Sequence, residues 1–147
     1  MSEAIRKTIA VGAAAILENG RVLLCRRASG EWKGYWEFPG GKVEPGETAA
    51  QAVEREIREE LCLDVHAKER LCVVEMDYPS FRLTMEVYIC RIEGGKMEVL
   101  EHEKACFFAP DEIKALRLCP ADVQAAQSLL NFFDRDRVQR SVNRGEG

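Results

Sequence analysis

The chain has 147 residues, 46% of them hydrophobic and 31% charged, with a net charge of −4 at pH 7. That length suits one domain with a proper core rather than two. The acidic balance argues against a generic binder of nucleic-acid polymers or membrane surfaces, so a polyanionic small molecule would need a local remedy such as a bound cation.

In chain order, "IRKTIAVGAAAIL" sets basic residues before an apolar run, as a leader peptide would. The run is short and Ala-rich, and "ENGRVLLCRR" follows with turn and strand character, so a first strand and a cytoplasmic setting are expected. Asn19-Gly20 supplies the positive φ values of a tight hairpin between the first two strands. "YWEFPGG" is an aromatic strand end stopped by Pro39, and "KVEPGE" is a turn. From Thr48 to Leu61 the pattern is helical, with Ala50, Val53, Ile57 and Leu61 as its apolar stripe. "LDVHAKERLCVVEMDY" reads as strand with a break near Ala67–Glu69. "RLTMEVYIC" alternates, with Leu83, Met85, Val87 and Ile89 on one face and Thr84, Glu86 and Tyr88 on the other. "EGGK" marks a turn, "KACFFAP" a last strand and "PDEIKAL" a helical turn. "PADVQAAQSLLNFF" is a helix with Val123, Ala126, Leu130 and Phe133 inward. Residues 1–134 therefore form one domain, and 135–147 is expected to be a frayed tail. The order predicts an α/β (α+β) fold, a mixed β-sheet sandwiched between helices.

No stretch is long enough to span a bilayer. The six cysteines, Cys25, Cys62, Cys72, Cys90, Cys106 and Cys119, form no C-x-x-C and sit mostly in apolar runs, as buried free thiols would.

"REIREEL" places Glu56, Glu59 and Glu60 within five residues of the first helix. At 100° per residue they form a stripe beside the apolar face, while Arg55 and Arg58 point mostly away. Neighbouring carboxylates roughly 5–6 Å apart repel by about 3 kcal/mol at an effective dielectric near 20. Mg²⁺ is the simplest compensation, because it prefers carboxylate oxygens and brings substrate phosphates with it. The plainer alternative is a solvated acidic face with Glu54 and Arg58 as an i,i+4 pair.

The longer stretch "GGKVEPGETAAQAVEREIREELCL" resembles the Nudix box, the signature of the Nudix hydrolases, at Gly41, Glu47, Arg55, Glu56, Ile57, Glu59, Glu60 and Leu63. One position departs: Cys62 stands where the family has a helix-ending glycine. "WEFPGGKVEPGE", "YPSFRLTMEVYIC", "EHE" and "LCPAD" look like the MutT-type branch, and the resemblance covers about residues 7 to 133.

The resemblance implies a Nudix fold. It also implies a Mg²⁺-dependent, or alternatively Mn²⁺-dependent, pyrophosphohydrolase that cleaves (deoxy)nucleoside triphosphates of the 8-oxo-dGTP or CTP type. Glu56, Glu59, Glu60 and the Gly40 carbonyl would hold metal. Glu59 or the loop acid Glu101 would be the base, with Glu103 a competitor. Arg55 and Glu47 would brace the loop, and Arg27 would contact phosphates. Asp122 matches a position that reads the base edge, although a first-turn acid also suits the helix dipole. Phe38 and Tyr78 are candidates to stack on a base, although such aromatics are commonly core. His102 reads as a surface residue or a phosphate contact, and His66 has no motif context.

Tyr78-Pro79 leaves open a hydrolase for ADP-ribose or dinucleoside polyphosphates. A catalytically silent nucleotide-binding module is the remaining reading. The expected partner is a nucleotide, with no nucleic-acid polymer and no membrane, on a monomer or homodimer.

Overall fold

A computed structural model describes residues 6–145. The strands are β1 (Lys7–Glu18), β2 (Arg21–Arg26), β3 (Trp36–Glu37), β4 (Gly40–Lys42), β5 (Leu63–Asp77), β6 (Phe81–Gly95) and β7 (Lys104–Phe108). The helices are α1 (Ala49–Leu61), α2 (Pro110–Ile113) and α3 (Pro120–Asn143).

The seven strands form one mixed sheet in the order β3-β2-β1-β6-β5, with β4 added beside β1 and β7 beside β2. β1 runs parallel to β6 over ten registered pairs and antiparallel to β2 and β4. Period-two alternation divides the core between the two faces. Ala14, Ile16, Leu23 and Cys25 face Val53, Ile57 and Leu61 of α1. Their neighbours Ala13, Ala15, Val22 and Leu24 face Ala121, Ala125 and Leu129 of α3. Helices therefore cover both faces, as the sequence pattern predicts.

One edge of β1 changes partner along its length. Near its C-terminal end Leu17 pairs with Val22 of β2; nearer its start Val11 to Ala13 pair with Lys42 to Gly40 of β4. Pro39 lies at the change, its carbonyl accepting the Ala14 N–H at 2.8 Å. Proline cannot donate to a ladder, so the expected single strand end becomes two short strands with different neighbours. This split opens the cleft described below.

Other expectations are corrected in detail. β5 is continuous, and the expected break is a set of register shifts at Asp64/Val65, Ala67/Glu69 and Arg70/Cys72. β6 runs on to Gly95 instead of turning at "EGGK". On α3, Ala126, Leu130 and Phe133 pack inward as expected but Val123 is 54% exposed, and the buried residues are Ala121, Asp122, Ala125, Ala126 and Leu129. The tail is not frayed through to Asn143, because α3 continues without interruption. Asp134–Arg137, Asp136–Arg140 and Gln139–Asn143 contacts support that extension in place of an apolar stripe. Residues 146 and 147 of the tail, like residues 1–5 of the domain, lie outside the described residues.

Candidate active site

α1 begins with a reciprocal cap: Thr48 Oγ1 accepts from the Gln51 N–H, and Gln51 Oε1 accepts from the Thr48 N–H. It ends at Cys62 in the left-handed region, φ 58° and ψ 27°, with the Cys62 N–H bonded to the Arg58 carbonyl. The helix stop therefore keeps its geometry without the glycine. Burying Val53, Ile57 and Leu61 contributes roughly 5–9 kcal/mol as an upper estimate, enough to hold a helix whose flank carries mutually repelling acids.

Arg55 does not point away from those acids. Its Nε donates to Glu47 Oε2 at 2.7 Å, and its Nη2 donates to Glu47 Oε1 and to the Lys42 carbonyl, both at 3.0 Å. Its Nη1 reaches Glu56 at 2.9 Å and Glu59 at 3.2 Å. A helical wheel places the Cα on the far side, but the long side chain returns across the flank. Hydrogen bonds from Arg55, aided by the Glu44 N–H, hold the Glu47 carboxyl down to about 2. The Glu54–Arg58 pairing gives way to other partners: Arg58 bonds Asp64 at 2.9 Å, and Glu54 accepts from the Ala67 N–H at 2.9 Å.

Glu60 is 5% exposed, and its Oε2 is buried without a hydrogen-bond partner. Burial first, then the charges of Glu56, Glu101 and Glu37, push its carboxyl up to about 9. An orphaned buried carboxylate oxygen is unfavourable unless something pairs with it. Gly41 lies directly against the Glu56 carboxylate, leaving no room for a side chain. Glu56, Glu60 and the Gly40 carbonyl of the facing strand offer oxygen donors only, the chemistry that suits a hard divalent cation. Glu59, 55% exposed and tied to Arg55, stands at the outer margin.

The loop before β7 lies against the end of α1, where the Leu100 N–H donates to the Glu60 carbonyl at 3.1 Å. Glu101 on this loop is exposed, with its charge felt at Glu60. Glu103 is paired instead with Arg26 at 3.6 Å.

Next to the carboxylates is a cavity of about 260 Å³ whose lining includes Arg27, Glu37, Phe38, Gly41, Tyr78 and Asp122. Asp122 is 5% exposed, and its Oδ1 accepts the Phe38 N–H at 2.9 Å. Burial, opposed by that hydrogen bond and reinforced by Glu37, pushes the Asp122 carboxyl up to about 8. Phe38 is 3% exposed and belongs to the core under α3, while Tyr78 stacks on Phe81. Phe38 thus adjoins the cavity with most of its ring already covered. Arg27 Nη1 bonds Glu37 Oε1 at 3.0 Å, and His102 Nε2 bonds Glu37 Oε2 at 2.9 Å. The His102 side chain is only 8% exposed, so it is no surface histidine. Glu37 also brings a carboxylate oxygen within 4.8 Å of donor atoms on Cys119 and Asp122. Both of its oxygens already have partners, which makes this wall a hydrogen-bonding surface.

Residues 6–131 match the model of the NUDIX domain. The chain belongs to the Nudix family. As a Nudix hydrolase it is an enzyme acting on acid anhydrides. It is 32% identical over 125 residues to the CTP pyrophosphohydrolase of Escherichia coli, covering 84% of this chain and 93% of that one. Identity to the 8-oxo-dGTP diphosphatase of Proteus vulgaris is 34% over 98 residues, covering 67% of this chain and 86% of the relative. The crystal structure of a MutT Nudix hydrolase from Burkholderia pseudomallei superposes with a TM-score of 0.76 at 31% identity, covering 84% and 98% of the two chains.

Sequence reasoning missed Glu37, which touches both Arg27 and His102. The only hint was its place inside the resembling stretch "WEFPGG". Among the described residues all six cysteines are free, and no helix is long and apolar enough to cross a membrane.

Proposed function

We propose that this Nudix hydrolase is a Mg²⁺-dependent pyrophosphohydrolase of (deoxy)nucleoside triphosphates of the 8-oxo-dGTP or CTP type, releasing the monophosphate and pyrophosphate. The observation that carries the reading is the buried, unpartnered Glu60 oxygen beside Glu56, set next to a cavity walled by Arg27 and Asp122. The names of the two relatives point to the same substrates.

Glu56, Glu60, Glu59 and the Gly40 carbonyl would hold the cation. When bound, it would neutralise phosphate charge that an acidic protein otherwise repels. Arg27 faces the cavity with its guanidinium steadied by Glu37, suited to a phosphate oxygen. Water attacks phosphorus in line and the α–β anhydride bond breaks, so a carboxylate must take the water proton. Glu101 is the better placed acceptor, because Glu103 is occupied by Arg26 and Glu59 by Arg55. Arg55 and Glu47 fix the loop against α1. Asp122 presents a polar edge to the base, and its partner Phe38 N–H fixes which oxygen remains for that contact. Six free thiols suit a reducing compartment such as the cytoplasm.

Glu60→Gln keeps shape and removes the ligand charge. It should abolish Mg²⁺-dependent turnover while the circular dichroism spectrum stays unchanged. Undiminished turnover would exclude Glu60 as a ligand. Specificity constants for dGTP, 8-oxo-dGTP, CTP, dCTP and 5-methyl-dCTP, measured on wild type and Asp122→Ala, test the base reading. Reordering supports it, and equal losses for every triphosphate remove Asp122 from base readout.

A further inference from the structure

Two anchors meet on Glu37, a residue of the two-residue strand β3. Arg27 holds one carboxylate oxygen and His102 the other. A carboxylate only accepts, so His102 Nε2 carries the proton in this contact. His102 Nδ1 is buried and has no partner. Glu101 and Glu103 on either side of it are exposed, so a single ring is turned inward from an otherwise exposed stretch. An unpaired buried nitrogen weakens a fold. What the arrangement supplies is a fixed point for the loop, between the Leu100 N–H on the Glu60 carbonyl and the Glu103 N–H on the Arg26 carbonyl. Glu101 lies between those two backbone contacts.

We infer that Glu37 is a positioning residue for hydrolysis: one oxygen aims Arg27 at the phosphates, and the other, through His102, holds the loop bearing Glu101 beside the box helix. The inference rests on the roles proposed above for Arg27 and Glu101. It makes the two arms of one carboxylate responsible for two kinetic effects, because Arg27 acts on binding and Glu101 on the chemical step.

The test uses His102→Ala, His102→Gln, Glu37→Ala and the double variant, each checked for a wild-type thermal melt. His102→Ala should lower kcat by at least about tenfold with KM within about twofold, the pattern of a lost transition-state contribution. Hydrogen exchange of the Leu100 and Glu103 amides should accelerate in the same variant. His102→Gln, whose amide can donate to Glu37 from a similar reach, should recover most of both. Glu37→Ala should lower kcat and also raise KM. Adding His102→Ala to it should cost little more, since contacts within one network are not additive.

Unchanged kcat or unchanged exchange in His102→Ala would overturn the inference, as would fully additive losses in the double variant. Should Glu37→Ala not fold, the two His102 variants decide alone. Glu101→Gln run in parallel separates the layers. If it keeps full kcat, the role proposed for Glu101 fails and the catalytic half of the inference falls with it, while the exchange data still report whether the link holds the loop.

Discussion

Gly41 and Glu56 touch so closely that no side chain fits between them: a Cβ on Gly41 would lie 2.6 Å from each Glu56 carboxylate oxygen. The colliding atoms end a flexible side chain, so Gly41→Ala should fold and displace the carboxylate. Mg²⁺ affinity, read by titration calorimetry, should fall by about tenfold or more, the scale seen when groups around a metal are disturbed. Gly40→Ala is different. Its Cβ would strike the Gly12 carbonyl and lie 2.7 Å from Ala13 Cα, and backbone in a sheet cannot step aside. Loss of more than about 2 kcal/mol in denaturant unfolding is expected there. Wild-type Mg²⁺ affinity in Gly41→Ala would remove Glu56 from the ligand set.

Asp122 gives stability a pH dependence of definite sign. Its carboxyl is raised to about 8 in the folded chain by burial, against an ordinary value of about 3.9. Between those values the folded state keeps a proton that the unfolded state releases, so the Asp122 contribution falls as pH rises. The slope for one proton is at most about 1.4 kcal/mol per pH unit. Asp122→Asn keeps an oxygen for the Phe38 N–H and cannot ionise. The difference in urea midpoint between variant and wild type should therefore grow in the variant's favour from pH 5 to pH 8. Glu60, also raised, contributes the same slope to both proteins and cancels in that difference. Parallel curves would show that Asp122 ionises normally.

Period-two and period-3.6 patterns made the two-faced sheet and the α1 stripe legible, because those signals come from burial along a regular element. They failed where one side chain broke the rule. Arg55 was misplaced because a wheel treats a long arginine as a point. On α3, Ala126 is buried and Leu130 and Phe133 pack against the core as the pattern predicts, while Val123 faces solvent because the first turn buries a carboxylate, Asp122, in its place. Glu37 and His102 are 65 residues apart and meet only through strand pairing, so no local pattern announces them. All six thiols are free, as their apolar neighbours suggest, but only Cys25, Cys90 and Cys119 are buried, while Cys62, Cys72 and Cys106 are half-buried.

Cys62 carries a cost that the sequence advertises. A side chain at φ 58° is disfavoured by roughly 1–2 kcal/mol, while glycine pays more chain entropy on folding, about 0.5–1 kcal/mol. Cys62→Gly should therefore stabilise the protein by up to about 1 kcal/mol. Cys62→Val, β-branched at the same φ, should destabilise it. Equilibrium urea unfolding distinguishes the two. A glycine variant less stable than wild type would mean that the half-buried thiol contributes more packing than the strain removes.

The end of α3 tests where the domain stops. Beyond Asp134 the helix carries no buried residue, and Val138 and Val142 are 58% and 62% exposed. Its visible supports are exposed side-chain pairs such as Arg140–Asp136 at 3.0 Å, each contributing about 0.3–0.5 kcal/mol. Deleting residues 135–147 should therefore cost less than about 1 kcal/mol, leave turnover unchanged and remove only the matching helical signal at 222 nm. Raising salt should weaken that same signal in the full chain, because screening acts on exposed pairs. If the truncated protein instead unfolds or loses activity, the segment is part of the domain, and the boundary at 134 is wrong.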